Sequence, residues 1–279
     1  MRIPFTKAHG AGNDFALTWA ADAPPGDLAE TARAVCDRHT GVGADGWLLV
    51  QATPTAKSHA AIRLFNADGS EPELSGNGTR CAAAFLLYMG VASGSELRIA
   101  TGAGDKQLRL IERDGRRFTF EMNMGRPVYS QADLWLQLPL DSGMQEVVAL
   151  AVGNPQCVVF VDNFDFDWRR MGVEIERYPH FPDRTNVSFV RPIDAHTLEV
   201  RFFERGVGET MSSGTGSTGA MAAAILRGVA ESPVRILTPA GPIDLRWDDD
   251  IYLTGPAEIV AAGEFYVDPT PGGALEGVE

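Results

Sequence analysis

Two alanine-rich apolar segments stand out in the pattern of hydrophobic and polar positions along the chain. Residues 82–87 follow the loop SGNG at residues 75–78, and residues 220–226 follow the loop SGTG at residues 213–216. A helix that is apolar on every side is normally buried. The pattern therefore predicts two buried helices, each beginning at a loop of glycine and small polar residues.

Alternation of apolar and polar residues predicts short strands through most of the remaining chain. Helical spacing of apolar and small residues predicts a helix at residues 28–37, and a further helix is predicted near residues 168–176. Asp114-Gly115 predicts a hairpin turn. The predicted strands of the first half are 3–6, 16–19, 47–50, 62–65, 96–100, 105–111 and 117–122. Those of the second half are 146–152, 157–161, 186–190, 198–203, 234–237, 243–247 and 251–254.

Landmarks of the first half recur in the second at nearly one spacing. Ser75 and Ser213 are 213 − 75 = 138 positions apart, and Gly125 and Gly255 are 255 − 125 = 130 apart. A repeated period indicates an internal duplication. We predict an α+β fold of two pseudosymmetric lobes, residues 1–125 and 126–265, followed by a tail, residues 266–279. Each lobe is predicted to be a curved, mostly antiparallel sheet around a central helix.

Composition and charge narrow the class of partner. The net charge is −13, from 24 Lys and Arg against 37 Asp and Glu. This disfavours nucleic acid and anionic membranes, which are bound mainly through basic side chains. The three cysteines are odd in number and form no CxxC pair, which is typical of a reducing compartment. With no long apolar span and no apolar signal core near the first residues, a cytoplasmic location is expected.

The two glycine loops are candidate anion sites. A helix start carries unpaired N–H groups and the positive end of the helix dipole, so each loop can hold a carboxylate. Ser75 and Ser213 are alternatively ordinary helix caps, with the glycines serving only as turns. Because the loop occurs twice, we favour one anion held from two sides, in a cleft between the lobes.

Eight motifs in order give the chain a close resemblance to the diaminopimelate epimerases, a family of cofactor-independent amino-acid racemases. They are HGAGNDF, DRHTGVGADG, FNADGSEPE, SGNGTRC, GNPQC, FPDRTNVSFV, ERGVGET and SGTGS, spread over residues 9–217. The resemblance implies two-base proton transfer at Cα that converts LL-diaminopimelate to the meso form, for lysine and peptidoglycan precursors. It also implies a small zwitterionic amino-acid substrate, a homodimer, and no metal or other cofactor.

The chain departs from the family at the residues that carry the chemistry. The resemblance places the catalytic pair at Ser75 and Ser213, where the family has cysteines, and Gln156 stands where the family has histidine. A thiol is readily ionised at a helix start, whereas a serine hydroxyl normally needs an adjacent base. The serines are therefore engineered replacements, or native in a working epimerase, or the mark of another role. That role would be binding without efficient turnover, or a related racemase or dehydratase.

The residues implied in substrate recognition match the family better than the catalytic pair does. Amides offer both donors and acceptors, and arginine binds carboxylates through two parallel hydrogen bonds. Glu204 is expected to pair with an ammonium group and, with Gln156, to modulate the acid/base pair. Arg80 and Glu209 are either structural ion partners or direct participants. The remaining expected substrate contacts are Asn13, Asn66, Asn154, Asn186 and Arg205 at the non-reacting end, and Gly76, Asn77, Gly214 and Thr215 at the reacting carboxylate.

Overall fold

The computed structural model describes residues 1–53 and 58–267, and the predicted tail from residue 268 onward lies outside them. The first half contains two helices, α1 (Leu28–Cys36) and α2 (Gly76–Tyr88). Its strands are β1 (Arg2–Gly10), β2 (Asn13–Trp19), β3 (Gly46–Ala52), β4 (Ala60–Asn66), β5 (Glu96–Thr101), β6 (Gly104–Asp114) and β7 (Arg117–Gly125). All seven predicted strands of this half are present, and each is longer than predicted.

The second half contains the helices α3 (Trp168–Glu176) and α4 (Gly214–Leu226). Its strands are β8 (Leu136–Leu140), β9 (Gly143–Ala151), β10 (Pro155–Phe160), β11 (Asn186–Asp194), β12 (Thr197–Glu204), β13 (Gly208–Thr210), β14 (Val234–Thr238), β15 (Gly241–Trp247) and β16 (Ile251–Tyr266). Two of them were not predicted from the sequence: β8, the hairpin partner of β9, and the three-residue strand β13, which pairs with β12.

The order and direction of strand pairing repeat between the halves. From β1 to β7, successive neighbours pair antiparallel, parallel, antiparallel, parallel, antiparallel and antiparallel. The path β9-β10-β11-β12-β14-β15-β16 repeats that series of directions. The helices α1 and α3 occupy equivalent places in the two series, as do α2 and α4. The fold is thus α+β with two pseudosymmetric, mostly antiparallel lobes, as predicted.

Strand β16 joins the two halves. It pairs with β7 along one edge, and with β15 and then β1 along the other. Its pairing with β1 closes β1–β7 and β16 into a ring of eight strands around α2. The strand predicted at residues 251–254 is too short, since β16 continues to Tyr266. The prediction stopped before Gly255 and Pro256, which usually break a strand. Pro256 lies between the residues that pair with β15 and those that pair with β1, so its missing N–H interrupts neither pairing.

The helices α2 and α4 form the centres of the lobes. Each has 13 residues, and nearly every residue of each is buried. Their alanines share one hydrophobic cluster with the inward side chains of both sheets. The glycines and alanines of each helix let the surrounding strands approach it closely. Within the described residues, no helix has the length and apolar character needed to span a membrane.

Candidate active site

The helices α2 and α4 meet at their N-termini. A Cβ atom on Gly76 would lie 3.5 Å from the Cα atom of Gly214, and one on Gly214 would lie 3.3 Å from the Cα atom of Gly76. A methyl group on Gly76 would thus make an ordinary van der Waals contact, whereas one on Gly214 would require a small shift of its neighbour. The N–H groups of the first helical residues have no intrahelical acceptor, and both helix dipoles direct their positive ends at this junction.

Ser75 and Ser213 cap these helices, which was the alternative that the sequence left open. Ser75 Oγ accepts a hydrogen bond from Gly78 N–H at 3.0 Å, and Ser213 Oγ accepts one from Gly216 N–H at 3.1 Å. The two hydroxyls therefore occupy equivalent positions at the two halves of the junction. Capping and a role in the cleft are compatible, because both side chains also line the cavity there.

A narrow cleft of about 80 Å³ lies at the junction. Ligand pockets usually span about 300–1,000 Å³, so the cleft is small in this conformation. The structure brings every predicted site residue except Gln156 to its wall. The cleft-lining residues are Asn13, Phe15, Leu64, Asn66, Pro72, Leu74, Ser75, Gly76, Asn77, Asn154, Asn186, Glu204, Arg205, Val207, Ser212, Ser213, Gly214 and Thr215.

The carboxyl group of Glu204 lies beside Ser213. Thr210 Oγ1 donates to Glu204 Oε1 at 2.9 Å. Burial raises the pKa of Glu204, and the neighbouring hydroxyl groups of Thr210 and Ser213 oppose the rise only in part. Glu204 is thus poised to exchange a proton closer to neutral pH than an ordinary carboxyl group.

The Ser75 side of the cleft has no matching group. Among the cleft-lining residues only Glu204 and Arg205 carry titratable side chains, and both belong to the second half. The cysteines do not fill the gap, since Cys36, Cys81 and Cys157 are all buried away from the cleft. Burial raises the pKa of Cys36 and of Cys81 to about 12. The acid/base environment is therefore asymmetric although the backbone is nearly symmetric.

Asn13 and Asn77 are held by a charged network that the sequence analysis did not assign. Asn77 Nδ2 donates to Asn13 Oδ1 at 3.2 Å, and Asn13 Nδ2 donates to Asp45 Oδ2 at 2.7 Å. Arg38 bridges Asp14 at 2.8 Å and Asp45 at 2.7 Å. The signal lay in the motif DRHTGVGADG, which contributes both Arg38 and Asp45.

Asn154 and Asn186 are fixed on the opposite wall. Asn186 Oδ1 accepts from the N–H of Arg205 at 3.0 Å, while its amide nitrogen donates to the carbonyl of Pro155 at 3.1 Å. Asn154 Oδ1 accepts from Gln156 Nε2 at 2.7 Å. Gln156 is fully buried behind Asn154, so its contact with the cleft runs through that asparagine. Its modulating role stays a prediction.

The remaining polar residues divide between the cleft and the surface. Asn66 lines the cleft and donates to Ser70 Oγ at 3.0 Å. Arg205 Nη2 lies 3.9 Å from Glu73 Oε2, which links the two halves across the cleft. Glu209 forms a salt bridge with Arg169 at 2.5 Å, so it is a structural ion partner.

Sequence comparison assigns the family. The family model described as diaminopimelate epimerase matches residues 5–130 and 148–260. A curated diaminopimelate epimerase from Desulforudis audaxviator is 40% identical over 278 residues, covering 94% of this chain and 99% of the relative. One from Pelotomaculum thermopropionicum is 37% identical over 276 residues, covering 94% and 98%. One from Aromatoleum aromaticum is 39% identical over 282 residues, covering 96% and 100%.

Solved structures confirm the fold. A probable proline racemase from Agrobacterium radiobacter K84 has a TM-score of 0.76 at 16% identity, covering 96% of this chain and 94% of that one. A hydroxyproline epimerase from Agrobacterium vitis has a TM-score of 0.74 at 16% identity, with the same coverage. At 16% identity these structures support only the fold. The family is assigned by the sequence matches, which are 37–40% identical over nearly the whole chain. The chain therefore belongs to the diaminopimelate epimerase family and is an isomerase of the racemase and epimerase type.

Proposed function

We propose that this protein converts LL-diaminopimelate to the meso form by proton transfer at Cα, with Ser75 and Ser213 on opposite faces of the substrate. The observation that carries the proposal is the meeting of two serine-capped helix N-termini in one cleft. Family membership supports the substrate and its place in lysine and peptidoglycan precursor synthesis.

The reacting carboxylate would lie against the first-turn amides of both helices. Gly76 and Asn77 offer N–H groups from one lobe, and Gly214 and Thr215 offer them from the other. Loss of the Cα proton moves negative charge toward this carboxylate. The same N–H groups then stabilise the carbanion more strongly than the substrate, which lowers the barrier.

On the face of Ser213, Glu204 would supply the base that a serine needs. Ser213 Oγ takes the Cα proton while its own hydroxyl proton passes to the Glu204 carboxylate. The capping hydrogen bond from Gly216 at 3.1 Å strengthens as negative charge develops on Ser213 Oγ. Because burial raises the pKa of Glu204, this carboxylate is a stronger base than an exposed one.

On the opposite face, Ser75 would donate its hydroxyl proton to the carbanion. The N–H of Gly78, at 3.0 Å, stabilises the alkoxide that remains. No cleft-lining carboxyl, imidazole or amine stands beside Ser75 to reload it. Reloading from water is therefore expected to be slower than the corresponding step at Ser213.

The far end of the substrate would occupy the asparagine-lined wall. The guanidinium of Arg205 donates to the carbonyl of Asp183 at 3.0 Å and lies near Glu73. The ion pair with Glu73 is long and its carboxylate is largely exposed, so a substrate carboxylate can replace it. Asn66, Asn154 and Asn186 complete this end of the site.

A second function, binding of the amino acid without efficient turnover, is favoured by one observation. Ser75 has no titratable cleft-lining neighbour, and the buried residue behind Asn154 is Gln156, whose amide cannot accept a proton at neutral pH. The recognition residues are nevertheless all at the cleft. Such a protein would hold the zwitterion and exchange its Cα proton little or not at all.

Incubation with LL-diaminopimelate in D₂O distinguishes the two functions. The Cα proton is followed by NMR over hours, with a family member carrying cysteine at both positions as a positive control. Epimerisation predicts deuterium at Cα together with the meso isomer, and loss of both in Ser75→Ala and Ser213→Ala. Calorimetric binding without deuterium uptake would contradict epimerisation, and uptake restored by cysteine at both positions would identify the missing acid/base pair.

A further inference from the structure

Arg80 is a buried cation without a carboxylate partner. Its side chain is fully buried in the first turns of α2. Nη2 donates to Asn77 Oδ1, and Nε donates to the carbonyl of Pro256 at 3.2 Å. Nη1 has no hydrogen-bond acceptor among residues 1–53 and 58–267, and no Asp or Glu in those ranges pairs with the guanidinium. Burial lowers the pKa of Arg80 to about 10, so it remains charged at neutral pH.

The fold makes room for this charge behind the helix junction. A Cβ atom on Gly76 would lie 3.8 Å from Arg80 Nη1 and 3.5 Å from Gly214 Cα. The unpartnered nitrogen is therefore adjacent to the point where the two N-termini meet. On its other side, a Cβ atom on Gly255 would lie 2.9 Å from Arg80 Cζ. Glycine in β16 thus gives the planar guanidinium the space that a larger residue would take.

Arg80 also sets the direction of the amide network. It can only donate hydrogen bonds, so it requires the oxygen of Asn77 to face it. The nitrogen of Asn77 then faces Asn13 Oδ1, and the nitrogen of Asn13 faces Asp45, which can only accept. A cation at one end and a carboxylate at the other fix both amides in one orientation.

An isolated buried charge destabilises a fold unless another charge compensates for it. The described residues supply none at Arg80, whereas an anion at the helix junction would. We propose that Arg80 is a positioning residue whose buried charge, together with the two helix N-termini, holds the anionic group of the ligand. The inference rests on the proposed function only for the identity of that anion as the reacting carboxylate of an amino acid. Because Arg80 does not line the cleft, it acts through the field at the junction and through Asn77.

The test separates charge from structure by comparing substitutions. Arg80→Lys keeps the charge but loses the planar pair of donors, and Arg80→Met removes the charge at similar length. Arg170→Met is the control for net charge, because Arg170 is 73% exposed and pairs with an exposed Asp141. Sulfate and meso-diaminopimelate are titrated separately by calorimetry, and thermal unfolding is measured for each variant.

We expect Arg80→Met to weaken binding of both probes by about ten- to hundredfold, the effect of one nearby charge in a partly shielded site. Arg80→Lys should stay within a few fold of the parent, and Arg170→Met should equal it. A purely structural role would lower the unfolding temperature of both Arg80 variants and leave their affinities equal, which would overturn the proposal. If Arg80→Met does not fold, Arg80→Gln replaces it in the comparison with Arg80→Lys.

The sulfate titration keeps this inference distinct from the proposed function. Charge-dependent sulfate binding without any binding of diaminopimelate would retain the role of Arg80 and refute the proposed substrate. Diaminopimelate binding and turnover that do not depend on the charge at residue 80 would retain the proposed function and refute this inference.

Discussion

Replacing Ser213 by alanine tests how much this serine stabilises the start of α4. The substitution removes the acceptor of Gly216 N–H, a capping bond worth about 1 kcal/mol. It also removes a hydroxyl group whose interaction with the Glu204 carboxyl group favours the ionised form of that group. From the capping bond alone we expect Ser213→Ala to unfold about 2–4 °C lower, at some 2–4 °C per kcal/mol for a chain of this size.

Ser212 provides a matched control one residue away. It is buried like Ser213, with 2% against 4% of its surface exposed. Its hydroxyl has no hydrogen-bond partner within the described parts of the chain. Removing an unsatisfied hydroxyl costs little, so Ser212→Ala should change the free energy of unfolding by no more than about 0.5 kcal/mol. Circular dichroism melts compare both variants at neutral pH, and equal unfolding temperatures would refute the reasoning.

Two further substitutions test the electrostatics and the packing around the helix junction. Burial raises the folded-state pKa of Glu204, so its contribution to stability is present below the ordinary carboxyl value of about 4.3 and is lost as pH rises through the folded value. Glu204→Gln should not lose this stability as the pH rises. If the unfolding temperatures of the variant and the parent change with pH in the same way, the reasoning is contradicted. Gly255→Ala should destabilise the fold by about 1–3 kcal/mol, because its methyl group would lie 2.9 Å from Arg80 Cζ. Urea unfolding measures this change, and an unaltered midpoint would show that Arg80 has free space.

Local signals in the sequence were sufficient for the helices. Ser75 and Ser213 begin the central helices as predicted, because capping side chains and the following glycines act within one turn. A helix was also predicted near residues 168–176, where the structure has α3. The paired loops also predicted a shared cleft, since the duplication of the chain places equivalent helix starts in equivalent positions.

Long-range pairing could not be deduced from local patterns. The prediction ended a strand at Thr254, because glycine and proline at the next two positions normally break a strand. In the structure β16 continues to Tyr266, since β7 supports it on one edge while β15 and β1 share the other. The partner of Glu209 was equally hidden, because Arg169 lies 40 residues away on a different element.

The acid/base asymmetry of the cleft was the feature hardest to predict from the sequence. The sequence showed which residues change from the family, but not that Glu204 accompanies Ser213 while Ser75 has no such neighbour in the cleft. The difference depends on which side chains the fold brings to the cleft and on how far it shields Glu204 from water, and both depend on the whole fold. The same is true of Arg80, for which the sequence left a structural ion pair and a direct role open.

The chemical shifts of backbone amides test the central claim most directly. Nitrogen-15-labelled protein is titrated with meso-diaminopimelate, and two-dimensional spectra follow each N–H group. We predict that Gly76, Asn77, Gly214 and Thr215 shift most, while the hairpin amide at Gly115 stays unchanged. Saturable binding with the largest shifts away from both helix N-termini would contradict an anion held between α2 and α4.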